Sequence, residues 1–195
     1  SHSIEVRGGQ LEQAERAEGI DIGLRVMLGA RQACVSASDV SREAIELMAQ
    51  RAVEMARHAP DDAYLRQASA EQLARDWDVE TLELCDPAEE PSAAQLQATA
   101  LEAEAAALEV PGVSQCQSAG AAFGARRIQL CMSNGFSGGY ARTDHGFSCV
   151  AIAGTGSQME RDYDGDSRIF RADLRAPSEV GRRAGERAVA RQGAR

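Results

Sequence analysis

Alternating apolar positions arrive in clusters along this chain, and each cluster is followed by a helical pattern instead of being interleaved with helices. Residues 3–36 read as an antiparallel meander: Ile4 and Val6, a Gly8-Gly9 turn, Leu11 to Arg16, then Ile22, Leu24, Val26 and Leu28, a turn at 29–32, and a return over Ala33 to Ser36. Strands of this kind would share one apolar face. Strand patterns return near 113–119, 126–133, 146–153 and 156–163. A doubly wound parallel sheet needs a crossover helix between successive strands, and none is patterned in either cluster. The expected fold is α+β, a mainly antiparallel sheet with three main helices packed against it. The strands-then-helix order occurs twice, and Arg51-Ala52-Val53 and Arg187-Ala188-Val189 hold equivalent helical places, so an internal duplication is compatible with the sequence.

Ser41 is the N-cap of the first helix, with Glu43 in the first turn where the positive end of the helix dipole favours a carboxylate. Ala44, Ile45, Met48, Ala49, Ala52, Val53 and Ala56 make its apolar stripe, and Pro60 ends it. Ser92 and Gln95 form a capping-box pair that opens a second helix running to about Glu109. Its expected buried face is Ala94, Ala98, Leu101, Ala105 and Leu108, and Pro111-Gly112 closes it. The third helix spans about Pro177 to Arg191. Residues 60–91 are an acidic crossing segment in which Leu65, Leu73, Trp77, Leu82 and Leu84 serve as apolar anchors, which predicts an ordered surface strap. The expected organisation is a single α+β domain over 1–195, the amino-terminal part of a longer protein, because strand pattern starts at once with Ile4 and helix pattern persists to Arg191. Ser1-His2 reads as a cloning scar.

With 44% hydrophobic and 26% charged residues, the composition is that of a soluble globular protein. No stretch approaches the roughly 18 consecutive apolar residues of a membrane helix, so no membrane association is expected. A formal charge of −9 repels a nucleic-acid duplex. Arg126-Arg127 and the helical set Arg182, Arg183, Arg187 and Arg191 are the basic clusters, and the second reads as solvated surface. Direct nucleic-acid binding is therefore not expected. The five cysteines, Cys34, Cys85, Cys116, Cys131 and Cys149, form an odd set with no CxxC pair, which points to free thiols in a reducing cytoplasm.

No reaction centre can be assembled from the motifs. His2, His58 and His145 lack metal-ligand spacing, and His145 has Asp144 beside it but no nucleophile. Asp162 to Asp166 resembles a calcium loop until position six, which is Ser167 and not glycine, so a solvated acidic hairpin tip is expected. Gly154-Thr155-Gly156 lacks the third glycine of a dinucleotide fingerprint. No catalytic or metal-binding residue is assigned. The one candidate contact surface is the segment after Ile128, Leu130 and Met132: Asn134, Gly135, Phe136, Ser137, Gly138, Gly139 and Tyr140. Asn134-Gly135 signals a hairpin turn, while Phe136 and Tyr140 place rings where loops carry small polar groups. These rings either plug the end of a sheet or contact an extended peptide or a partner.

Three stretches carry a family resemblance: Leu130 to Arg142, Gln158 to Tyr163, and Val180 to Ala188. With Gly23-Leu24-Arg25-Val26 and Arg31-Gln32-Ala33, they resemble the amino-terminal half of the PmbA branch of the TldD/PmbA family. The resemblance implies a bacterial cytoplasmic protein of a family known both as modulators of DNA gyrase and as metalloproteases that process peptides. It implies a TldD-type partner subunit, in a hetero- or homodimer, whose HExxxH motif holds zinc. That motif is absent from this sequence, so no cofactor is expected in this chain and it is expected to be inactive by itself. The implied role is a non-catalytic amino-terminal domain of the assembly, with a peptide as substrate. The alternative is a protein-binding module that modulates DNA gyrase.

Overall fold

A computed structural model describes residues 1–75 and 78–193. Strands β1 (His2–Arg7), β2 (Gln10–Arg16), β3 (Ile22–Leu28), β4 (Arg31–Ala37), β5 (Val113–Cys131), β6 (Ser137–Ala153) and β7 (Glu160–Arg168) accompany helices α1 (Arg42–His58), α2 (Ala93–Leu108) and α3 (Pro177–Ala190). The architecture is α+β, with every strand pair antiparallel. Five strands make one sheet in the order β2-β1-β5-β6-β7, and β3 with β4 makes a second. The chain packs as two compact units, Ser1–Ala17 with Asp76–Cys131 and Ser137–Arg195, and Glu18–Arg75 with Met132–Phe136.

The first four strands do not form one meander, because β1 gives its second edge to β5, with Ile4 opposite Ala121. Local alternation carries no signal of so distant a pairing. For the same reason the strands-then-helix order recurs in the sequence but not in sheet topology. The strand patterns near 113–119 and 126–133 prove to be one strand, β5, whose 19 residues run through Gly120 and Gly124 without a turn.

In the larger unit, α2 and α3 cover one face of the five-stranded sheet. Ile4, Val6, Ala119, Ala121, Phe147, Cys149 and Ala151 point toward them. The helices answer with Leu96, Ala100, Ala103, Ala107, Val180, Ala184 and Ala188, so the core is mostly alanine. Small side chains release little free energy each on burial, but they let backbones approach closely. A Cβ placed on Gly181 would overlap the carbonyl oxygen of Ala103, and one on Gly185 would lie 2.9 Å from Val110 Cγ2. The capping box at Ser92 and Gln95 is present. The buried face of α2 differs from the expected one: Leu96, Ala100, Ala103, Glu104 and Ala107 are buried, while of the expected residues Leu101 is half-buried against the core and Ala94, Ala98, Ala105 and Leu108 are exposed. Alanine on nearly every face leaves a hydrophobic period with nothing to select.

Glu104 is 2% exposed, and its two carboxylate oxygens accept from Gly8 N at 2.7 Å and Gly9 N at 2.8 Å. Gly8 and Gly9 have φ of 61° and 76°, as a two-residue hairpin with both central residues left-handed requires. Helix α2 thus clips the β1–β2 turn.

At the outer edge of β7, alternate carbonyls are each capped by an arginine. Arg191 donates to Arg161 O at 3.1 Å, Arg187 to Tyr163 O at 3.0 Å, and Arg175 to Gly165 O at 2.7 Å. Two arginines that read as solvated surface therefore satisfy an edge strand that would otherwise invite pairing. The acidic run from Asp162 lies in β7 and is not a hairpin tip. Asp164 is 7% exposed and accepts from Arg175 Nη1 at 2.9 Å.

In the smaller unit, α1 packs on β3 and β4, capped at Ser41 as the sequence predicts. Its buried line is Met48, Ala52 and Ala56, while Ile45 is exposed. The crossing segment at 60–91 carries no helix or strand among its described residues, and Trp77 lies outside them. Leu65 is buried, as an anchor should be, whereas Leu82 is exposed.

Candidate functional site

The outer part of the β5–β6 ladder places three cross-strand pairs in succession: Arg126 opposite Arg142, Ile128 opposite Tyr140, and Leu130 opposite Gly138. Residues directly opposite share a face, and every second pair repeats it. Ile128 and Tyr140 are each 40% exposed and Leu130 is 54% exposed, so this strip of apolar surface meets solvent. Asp144 holds the arginines beside it, at 3.0 Å from Arg142 and 3.5 Å from Arg126.

Further along the same face, the pairs are Ala122 with Gly146 and Gly120 with Ser148. Together with Ser3 on β1 and Ser167 on β7, these small residues floor an open trough of about 910 Å3 on the sheet face opposite the helices. An apolar strip and, beyond the Arg126, Arg142 and Asp144 cluster on the same face, a trough floored by small side chains suit contact with another polypeptide, since bulky floor residues would keep its backbone away.

The predicted contact segment is divided by the structure. Met132–Phe136 is the turn, closed by Met132 N donating to Phe136 O at 2.8 Å. Gly135 has φ of 95°, and Asn134 contributes its side chain, donating from Nδ2 to Ala68 O at 2.9 Å and accepting from Phe136 N at 3.2 Å. Phe136 is half-buried. Ser137, Gly138, Gly139 and Tyr140 belong to β6, and a Cβ on Gly139 would overlap the carbonyl oxygen of Ile128. Of the two rings, Tyr140 is the exposed one. The alternation of Ile128 and Leu130 marks one apolar face of an extended segment, and the structure leaves both residues exposed on it. The floor was also missed, although Gly, Ala or Ser at every second position over 118–122 and 146–148 is its signal.

Among the described residues, no cluster of side chains supplies a reaction centre. His145 faces the helices, 3% exposed, with its ring centroid 4.9 Å from that of Phe123. Its Nε2 lies 3.2 Å from Asp86 Oδ2, off the line that a hydrogen bond requires. Asp86 accepts from Arg171 N and Ala88 N, and those backbone bonds hold its carboxyl below the usual carboxylate range. Burial pushes the His145 imidazole down, against the pull of the Asp86 carboxylate. Cys116 and Cys149 are buried with sulfurs 3.9 Å apart, and Cys34, Cys85 and Cys131 are exposed.

A pH dependence follows. A histidine kept neutral by burial binds its proton more readily in the unfolded chain, so stability falls as pH drops below the ordinary histidine value of about 6.5. A second loss comes as pH falls through the depressed pKa of Asp86 and that of Asp164. Burial, the largest single influence on Asp164, would raise it, but the bond and charge of Arg175, the Gly165 amide and the Arg187 charge together outweigh burial. Thermal unfolding from pH 8 to pH 3 is expected to show both steps, and His145→Gln should remove the upper one alone. An unchanged upper step in that variant would refute the assignment.

Among the described residues, no three His, Cys, Asp or Glu side chains converge as metal ligands. His58 pairs with Glu54 at 3.0 Å on the surface of α1, and His145 has one carboxylate beside it, so these donors do not fit a zinc centre. Among the described residues, no helix is long and apolar enough to cross a membrane.

Two family models match the chain: PmbA/TldA metallopeptidase domain 1 over residues 1–56, and the central domain of the same metallopeptidases over 86–192. The sequence is 31% identical to metalloprotease PmbA of Escherichia coli O157:H7 over 196 aligned positions, covering 97% of this chain and 42% of that protein. A Bacteroides thetaiotaomicron protein named as a modulator of DNA gyrase matches all of the chain and 44% of its own length, with TM-score 0.79 and 21% identity. A Thermotoga maritima protein named likewise matches with TM-score 0.74 and 15% identity, covering 100% of this chain and 42% of that one. TldE from Thermococcus kodakarensis matches with TM-score 0.75 and 13% identity, over 96% of this chain and 41% of that one. The chain thus spans less than half the length of the relatives it matches.

Proposed function

Since this chain belongs to the PmbA/TldA metallopeptidase family, we propose that it serves as a non-catalytic, partner-docking part of a cytoplasmic peptide-processing metalloprotease assembly. Catalytic zinc in this reading is held by a TldD-type partner subunit, which accords with the lack of a fitting donor set among the described residues. The observation that carries the reading is the exposed strip of Ile128, Leu130 and Tyr140 on the same sheet face as the small-residue trough. An apolar strip on a strand ladder contributes to a partner interface, and a trough floored by glycine and serine leaves room for an extended peptide beside it.

Capture of a TldD-type subunit by the tagged chain tests this. The pair Leu130→Asp and Tyr140→Asp is expected to lower the captured amount by at least about tenfold, since charge in an apolar contact leaves a desolvated carboxylate unpaired. Capture unaffected by both changes would reject the strip as the interface. Stoichiometric zinc with peptide cleavage in the isolated chain would reject the non-catalytic role.

A second reading is a protein-binding module acting on DNA gyrase, favoured by the names of two structural relatives and by the charge of −9, which suits a basic protein surface better than DNA. Capture of the TldD-type subunit without any topoisomerase would count against it.

A further inference from the structure

The smaller unit contains a groove that the partner-docking role does not use. It lies between α1 and β4 and has a volume of about 380 Å3. Three consecutive residues of β4, Val35, Ser36 and Ala37, line one side. A strand that lined a groove with its face would contribute alternate residues, so consecutive ones mean that its edge borders the groove. Strand β4 pairs with β3 on one side, and among the described residues no backbone hydrogen bond from 31–37 goes beyond that ladder. The opposite wall is the α1 stripe Leu47, Met48, Arg51 and Met55, at helical spacing. Leu47 is 47% and Met55 51% exposed.

A free strand edge facing a helix across an apolar channel is the geometry of strand addition: main-chain bonds hold the ligand, and alternate side chains enter the channel. A two-stranded sheet is marginal and gains from a third strand. The charge of the occupant follows from Arg51, which has no ion pair or hydrogen bond to any described residue while most arginines of this chain are paired. Its guanidinium at an apolar wall calls for an anion.

The structure assigns the α1–β4 groove as a docking site for an extended peptide segment that pairs with the edge of β4, places apolar side chains against Leu47 and Met55, and presents a carboxylate to Arg51. This site is separate from the β5–β6 strip, and its failure would leave the partner-docking reading untouched.

The probe is a fluorescein-labelled heptapeptide with valine at odd and aspartate at even positions, titrated with the full chain by fluorescence anisotropy at low salt. Saturable binding is expected. Arg51→Glu, checked for an unchanged circular dichroism spectrum, should weaken it about tenfold. Arg51→Gln should fall between, and a peptide with lysine in place of aspartate should prefer the Arg51→Glu chain. Hydrogen exchange should show added protection of amides within 31–37 in the complex. Three results would each overturn the assignment: no saturable binding, affinity indifferent to Arg51 and to peptide charge, or a groove blocked by self-association that Arg51→Glu abolishes.

Discussion

Gly181→Ala is expected to destabilise the larger unit by at least about 3 kcal/mol, although alanine in place of glycine inside a helix ordinarily stabilises by about 1 kcal/mol. The two effects have opposite sign, and the geometry decides between them. A Cβ at this position overlaps the carbonyl oxygen of Ala103, a backbone atom of α2 that cannot rotate aside. Accommodating it means separating α2 from α3, which loosens Ala100, Ala103, Ala107, Val180, Ala184 and Ala188 together. A core made of alanine has no long side chains to refill the gap. Gly185→Ala should cost less, because its Cβ comes no nearer than 2.9 Å to Val110 Cγ2 and 3.0 Å to Ala107 O, a milder clash than the overlap at Gly181. Urea unfolding of both variants measures this order. A Gly181→Ala protein as stable as the parent would mean that the helices are not packed through this glycine.

Glu104→Ala is expected to cost about 3 kcal/mol, from two charge-assisted hydrogen bonds and the packing of a buried side chain. Gln at the same position keeps the volume and one acceptor oxygen, so Glu104→Gln should lose about half as much. The structural readout is local: amides of β1 and β2 should exchange faster in the alanine variant while those of β6 and β7 keep their order, since the clip holds the Gly8-Gly9 turn and not the far edge. A stability change within about 0.5 kcal/mol in Glu104→Ala would mean that water serves those two amides as well as the carboxylate does.

Sequence reading located the caps at Ser41 and Ser92, the Gly8-Gly9 and Asn134-Gly135 turns and all three helices, because each depends on residues within a few positions of one another. It failed where the deciding contact was distant. The buried face of α2 went to the wrong residues, since an alanine-rich helix offers no contrast and the partners Gly181 and Gly185 lie on another helix. Arg187 and Arg191 read as solvated charge because the carbonyls they cap belong to β7. Of the contact segment, the sequence leaves Phe136 and Tyr140 either plugging a sheet end or making contact, and the alternation of Ile128 and Leu130 marks an apolar face only; the structure half-buries Phe136 and exposes Tyr140, Ile128 and Leu130. Period-two alternation says that two faces differ, not which of them is covered.

The sequence by itself determined the α+β class, the family and the absence of a recognisable reaction-centre motif, because composition, element order and motif spacing are properties of the chain alone. Tertiary structure decided which strands share a sheet, which carboxylates are buried and which apolar residues meet solvent. Those depend on which distant segments come together, and free energies of burial and hydrogen bonding are settled only by the neighbours that pairing supplies.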